Sequence, residues 1–314
     1  MMDSSPTGWL YDEPATLAGA LQRGLGRGAR RAAGPEAVFA CVKRDYRWDW
    51  MVDERAVYLA RLVRDLAMPV PPLLTLLREH PADNDDNTFD NTLEVLVALG
   101  RSGDRSAVDG LFQYVRDGPR WTEVLQTTAE ELPREMWNDL LPVARARLGH
   151  HPGPDTVVWR GRPWLATPPV HPMVWTAYVV LAEHGDATDL PALFAGWDWL
   201  DRRGHDRCGY DDLAAGLARI GGPAARAAVP RLHRAWSGPH TYERAAYLRA
   251  ATALDPDAAH RLLVEGLWDC ESNVRRFAAE HAPLDDMTRD QLRCLRDDPV
   301  ETPEVRAIAA RRLV

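Results

Sequence analysis

Apolar residues recur along this chain at the three- and four-residue intervals of an α-helix. Val57, Tyr58, Leu59, Leu62, Val63 and Leu66 form one such stripe, Leu93, Leu96, Val97 and Leu99 a second, and Leu213, Leu217 and Ile220 a third. Alternation of apolar with polar residues is almost absent, and no Asn-Gly or Asp-Gly hairpin signal sits between alternating runs, so strands are not expected. Short turns punctuate the stripes at Gly100 to Asp104, Gly185-Asp186, Gly221-Gly222-Pro223 and Asp255-Pro256-Asp257. Helices of about 10–15 residues joined by such turns predict an all-α fold.

The pattern also repeats. Residues 98–112 align without gaps on residues 180–194, pairing Leu99 with Leu181, Gly103 with Gly185, Asp104 with Asp186, Leu111 with Leu193 and Phe112 with Phe194. Leu181, Leu217 and Leu254 precede similar turns at intervals of 36 and 37 residues. Glu54-Arg55-Ala56-Val57-Tyr58-Leu59 returns as Glu243-Arg244-Ala245-Ala246-Tyr247-Leu248, and Val274-Arg275-Arg276-Phe277-Ala278-Ala279 as Val305-Arg306-Ala307-Ile308-Ala309-Ala310. Periods of this length mark stacked helical repeats.

An apolar helix, a Gly-Asp turn, a second helix carrying Leu190-Pro191 or Val229-Pro230, and then V-R-x-x-A-A resembles the HEAT repeat. The likeness is closest over residues 174–314 and looser over 53–148. It implies an all-α, right-handed α-solenoid of HEAT-like antiparallel helix pairs. The expected organisation is an N-terminal helical cap (1–50), N-terminal repeats (51–148), a Pro/Gly/Trp-rich loop (149–172) and C-terminal repeats (173–314). Arg275 and Arg306 are then expected to be structural, bonding to carbonyls or acids of an adjoining turn.

Composition narrows the function classes. Hydrophobic residues make 46% of the chain and charged residues 27%, as in folded soluble proteins. No run of about 18 apolar residues occurs, so no membrane span is expected. The start shows no basic stretch followed by an apolar one, and Cys41, Cys208, Cys270 and Cys294 stand far apart; both point to a reducing, cytoplasmic setting. The net charge is -8, with 18 basic and 23 acidic residues before position 151 and 20 and 23 after it. Neither half is basic, which disfavours nucleic acid as a partner. Lys43 is the only lysine; the remaining basic residues are arginines, whose planar forks suit carboxylate and phosphate recognition.

The candidate binding residues lie where the helical period fails. Trp159, Arg160, Arg162 and Trp164 stand in the 149–172 loop, and Trp197, Trp199, Arg202 and Arg203 in the polar stretch from Gly196 to Asp212. Tryptophan beside arginine is the composition of binding hot spots. Asp53 is expected to cap the helix that follows it, with Trp50 as an apolar staple. Residues 83–94 partly match a calcium loop, but Thr88 stands where the sharp turn needs glycine. The spacing of His205, Asp206, Cys208, Asp211 and Asp212 fits no zinc pattern, and no nucleotide, hydrolase or metalloprotease motif is present. These features predict a non-catalytic, monomeric scaffold without a cofactor, binding another protein through its concave surface and the central loop. The alternatives are a HEAT-like glycosylase acting on alkylated DNA bases, or a HEAT-like lyase or chaperone for a bound cofactor.

Overall fold

The computed structural model describes residues 3–4, 10–47, 53–80, 87–133, 140, 142–143, 147, 178–179, 181–183, 185–202 and 208–314. Among them the fold is helical apart from one two-residue antiparallel pair, β1 (Asp3–Ser4) with β2 (Leu10–Tyr11). No helix of the described residues is long and apolar enough to cross a membrane.

The N-terminal half holds α1 (Leu17–Gln22), α2 (Gly26–Arg31), α3 (Pro35–Lys43), α4 (Arg55–Asp65), α5 (Pro71–Glu79), α6 (Thr88–Arg101), α7 (Arg105–Asp117) and α8 (Trp121–Glu131). Helix α6 packs on α3, α4, α5, α7 and α8. It can do so because Leu93, Val95, Leu96, Val97, Ala98 and Leu99 bury apolar surface on every side of it. Its first turn is polar but satisfied. The Thr88 hydroxyl donates to the Lys43 carbonyl (2.7 Å), and the Asn91 amide to the carbonyls of Cys41 (3.1 Å) and Val42 (3.0 Å), closing the end of α3. Residues 88–94 are therefore helix rather than the second half of a calcium loop.

The C-terminal half holds α9 (Leu190–Asp201), α10 (Tyr210–Ile220), α11 (Gly222–Ala225), α12 (Val229–Ala235), α13 (Arg244–Leu254), α14 (Pro256–Gly266), α15 (Ser272–His281), α16 (Asp286–Asp297) and α17 (Pro303–Arg312). Here α10 packs on α13, α13 on α15 and α15 on α17, so alternate helices make one row; α12, α14 and α16 pack against that row. Small residues allow the close approach: a Cβ on Gly216 would lie 2.5 Å from the Cα of Ala182. Aspartates of the repeated turns act as caps. Asp104, Asp186 and Asp255 accept from the backbone N–H groups of Ala107, Thr188 and Ala258.

Arginine ties the row together. Arg244, Arg275 and Arg306 follow one another at 31-residue intervals. Arg275 is buried and donates to both oxygens of Glu301 (2.6 and 2.9 Å) and to the carbonyls of Asp269 and Cys270. Arg244 reaches the carboxylate of Asp269 one turn earlier in the array (3.0 Å). The expected tie thus holds for Arg275. Arg306 stays exposed and donates only to the Arg296 carbonyl (3.2 Å) among the described residues.

The two halves then close on each other along a buried seam. Helix α4 begins at the turn before α15 and ends at the turn before α17. Glu54 accepts from the Ser272 backbone (2.9 Å) and hydroxyl (2.7 Å), while Arg61 and Arg64 pair with Asp298 (3.0 and 2.8 Å). The turn between α1 and α2 meets the same edge: Gly24 accepts from the Cys270 N–H (3.0 Å), and Arg244 also donates to the Arg23 carbonyl. Gly24 has φ of +61°, and a Cβ there would lie 2.5 Å from the Cys270 sulfur, so only glycine fits. The apolar cores interlock as well, since Ala20 and Leu25 pack into the C-terminal cluster and Cys270 into the N-terminal one.

Asp53 serves this seam rather than a simple cap. Its carboxylate accepts from the Arg55 N–H (2.9 Å) and holds the Arg55 guanidinium at 2.6 Å, both side chains being buried. The helix N-cap falls one residue later, on Glu54. Trp50 lies outside the described residues.

Candidate functional site

Of the residues singled out in the sequence, Trp159, Arg160, Arg162, Trp164 and Arg203 lie outside the described residues. Trp197, Trp199 and Arg202 share the last turns of α9 and its end, and they face different ways. Trp197 is 2% exposed, with its ring 5.1 Å from that of Tyr210. Trp199 is half-buried, 6.3 Å from the Tyr178 ring, and Arg202 is exposed. Neighbours two apart on a helix point about 200° from each other, which separates the two tryptophans. The stretch from Gly196 to Asp201 is thus regular helix, because Leu193, Trp197 and Leu200 continue one apolar stripe into the core.

Trp197 also forms part of the wall of a cleft of about 560 Å³ between the N-terminal segment and the C-terminal helices. Tyr210 at the start of α10 and Tyr247 on α13 line it beside Trp197. Arg23 and Arg27 come from the α1–α2 region, Arg231 and Arg234 from α12. Glu13, Asp201, Ser237 and His240 complete the polar lining. Four arginines and two carboxylates line it, and two further carboxylates, Glu265 and Asp198, pair with Arg27 and Arg231, so its charges balance.

The four arginines are held differently. Arg23 is fixed, donating to the carbonyls of Asp12 (2.6 Å) and Gly19 (3.0 Å) with its guanidinium 4.7 Å from the Tyr11 ring centre. Arg27 contacts Glu265 through Nε (2.8 Å), and Arg231 contacts Asp198 through Nη1 while lying over the Phe194 ring. Arg234 is exposed and has no ion-pair partner among the described residues. Behind the aromatic wall, the Tyr247 hydroxyl and the Gly209 N–H both donate to the buried Glu243 carboxyl. Burial, reinforced by the nearby Asp211 charge, pushes Glu243 up to about 8.

The seam beside the cleft holds the other concentration of titratable groups. Asp53, Cys270 and Glu271 place ligand atoms within 4.8 Å of one another, the spacing of a metal site. Their surroundings argue for a different use. The Arg55 guanidinium occupies the Asp53 oxygens, and burial holds the Cys270 thiol well above its ordinary range. Burial and the adjacent Asp53 charge push Glu271 up to about 8, while its carboxyl accepts from the Thr241 hydroxyl. With Glu271 protonated, Asp53, Glu54, Asp269, Asp298 and Glu301 face Arg55, Arg61, Arg64, Arg244 and Arg275, charge for charge. A divalent cation placed there would meet guanidiniums rather than an excess of anions.

Sequence reasoning reached only Trp197 of the cleft as a binding candidate. The arginines around it come from segments about 200 residues apart, and no local period connects them. The chain matches no protein-family model, no curated protein and no solved structure.

Proposed function

We propose that this chain is a non-catalytic interaction scaffold, built as a HEAT-like right-handed solenoid, that binds another protein through its concave surface and the 149–172 region. The observation that supports the reading best is the row α10–α13–α15–α17, with Arg244 and Arg275 each tied to the acid of the following turn. A scaffold that repeats its packing residues leaves the outer positions of each helix open to variation, and such arrays serve recognition. Arginine and carboxylate side chains that a DNA glycosylase would need for its groove, such as Arg120 and Asp198, are engaged within the fold. Arg120 pairs with Asp90 and Glu123 and lies over the Phe89 ring (4.0 Å), and Asp198 pairs with Arg231.

The test is affinity capture of the tagged full chain from its own lysate, with and without nuclease, followed by chemical crosslinking of what is retained. The scaffold reading expects a stoichiometric protein partner that survives nuclease, crosslinks to the helices, and is lost when Trp159, Arg160, Arg162 and Trp164 are replaced by alanine. Recovery of nucleic acid alone would overturn it.

A further inference from the structure

Behind the cleft wall lies a buried carboxyl group, Glu243, that has no ion-pair partner among the described residues. We infer that the start of α10 is a proton-held latch on the cleft: a proton on Glu243 keeps Gly209, Tyr210 and Asp211 in place against α13, and its loss loosens them together with the Tyr210 side of the wall.

Helix α10 enters without a cap of its own. Its N-cap is Gly209, in the left-handed region at φ of +100°, and it has no side chain to take up the first N–H groups. Glu243 supplies an acceptor from outside the helix. One of its oxygens accepts from the Gly209 N–H and the other from the Tyr247 hydroxyl, and both Glu243 and Tyr247 are 1% exposed. Tyr210 is held from its far side, donating its hydroxyl to Asp201 at the end of α9 (2.8 Å). The titratable groups around Glu243 offer it no positive charge. Asp211 lies against it from α10 and Tyr247 from α13, with Tyr210 beside Tyr247 and Asp201 beyond Tyr210. Arg244, the next residue, turns away to Asp269. The two donors favour a carboxylate, but burial and the Asp211 charge outweigh them, so Glu243 keeps its proton up to about 8. A protonated Glu243 can donate to Asp211. An ionised one sets two negative charges together where water does not reach. Loosening the α10 entry admits water to both, so ionisation and opening are linked.

Hydrogen exchange of the full chain tests the latch, read at the amides of Tyr210 to Leu213 and divided by the intrinsic exchange rate at each pH. Protection there is expected to fall by up to about tenfold per pH unit from pH 6 to 8 and to level off above about 8. Glu243→Gln, whose amide can still accept from Gly209 and donate to Asp211, is expected to abolish the fall. Asp211→Asn is expected to leave a smaller fall that ends at lower pH, and it carries the test should the Glu243 variant not fold. Glu271→Gln, in the seam, is expected to leave the fall unchanged. The amides of Tyr247 to Ala251, inside α13, are expected to stay better protected than the α10 entry at every pH. Protection at the α10 entry that does not vary with pH, a fall that survives Glu243→Gln or is unaltered by Asp211→Asn, or a fall equalled in size and level inside α13, which is global unfolding, would each overturn the inference. None of these results depends on whether a protein partner is captured.

Discussion

The seam and the cleft lie side by side, and both are built from arginine, yet they use it in opposite ways. In the seam, Arg55, Arg244 and Arg275 are buried and face carboxylates and backbone carbonyls that take up much of their donor capacity. In the cleft, Arg27, Arg231 and Arg234 keep contact with solvent and retain unused N–H groups. Residue type does not separate structure from recognition here. What separates them is the number of donors already satisfied and the cost of leaving the remainder without water.

The strongest way to break this contrast is to cut a seam pair. Arg244→Ala leaves Asp269 fully buried without its counter-charge, and should cost about 3–5 kcal/mol, read as a lower midpoint in urea. A loss below about 1 kcal/mol would show that this pair does not tie the C-terminal row together.

Proton uptake sharpens the contrast next. Glu271 in the seam and Glu243 behind the cleft are both raised from an ordinary 4.5 to about 8. Between those values the folded chain retains protons that the unfolded chain releases, so stability falls as pH rises and the loss is complete above about 8. The chain should therefore melt lower at pH 9 than at pH 6, and Glu271→Gln should remove part of that difference. Glu301 and Asp298 are shifted down despite burial, Arg275 acting chiefly on Glu301 and Arg64 on Asp298. Their contribution has the opposite sign, present above the ordinary carboxylate range and lost on acidification. Alkylation of Cys270 should report the same opening once its rate is divided by that of exposed Cys294 at each pH, which cancels the ordinary gain in thiolate: the ratio should be low at pH 6 and higher at pH 9.

Substitutions in the cleft should matter least for stability. Arg231→Ala removes a partly exposed pair and should cost no more than about 1 kcal/mol. Arg234→Ala should stay within about 0.5 kcal/mol by thermal melting. A larger loss at Arg234 would place it with the seam and remove the distinction.

Much of the helical plan was legible because it is local. The stripes predicted α4, α6 and α10, the repeated Gly-Asp turns marked the caps at Asp104 and Asp186, and V-R foretold the role of Arg275. The run from Gly196 misled because Asp198, Asp201 and Arg202 make it look polar, although Leu193, Trp197 and Leu200 keep the helical interval. Asp53 was readable as a helix-entry residue but not as the partner of a buried guanidinium, since its burial comes from the far half of the chain. The same holds for the cleft. Arg27 and Arg231 become neighbours only after the halves meet, and no pattern within a window of sequence encodes that meeting.

Closure between distant segments also sets an order in time. Glu54 emerges from the ribosome 217 residues before Glu271 and 218 before Ser272, and Arg61 precedes Asp298 by 237. At about 5–20 residues per second, the first four helices wait roughly 10–45 seconds for the surface they will join. Meanwhile Arg55, Arg61 and Arg64 remain hydrated on a nascent chain, where their charge discourages that fragment from sticking to its neighbours. The segment from 271 to 298 is thus the one that lets the much earlier segment from 54 to 64 finish folding.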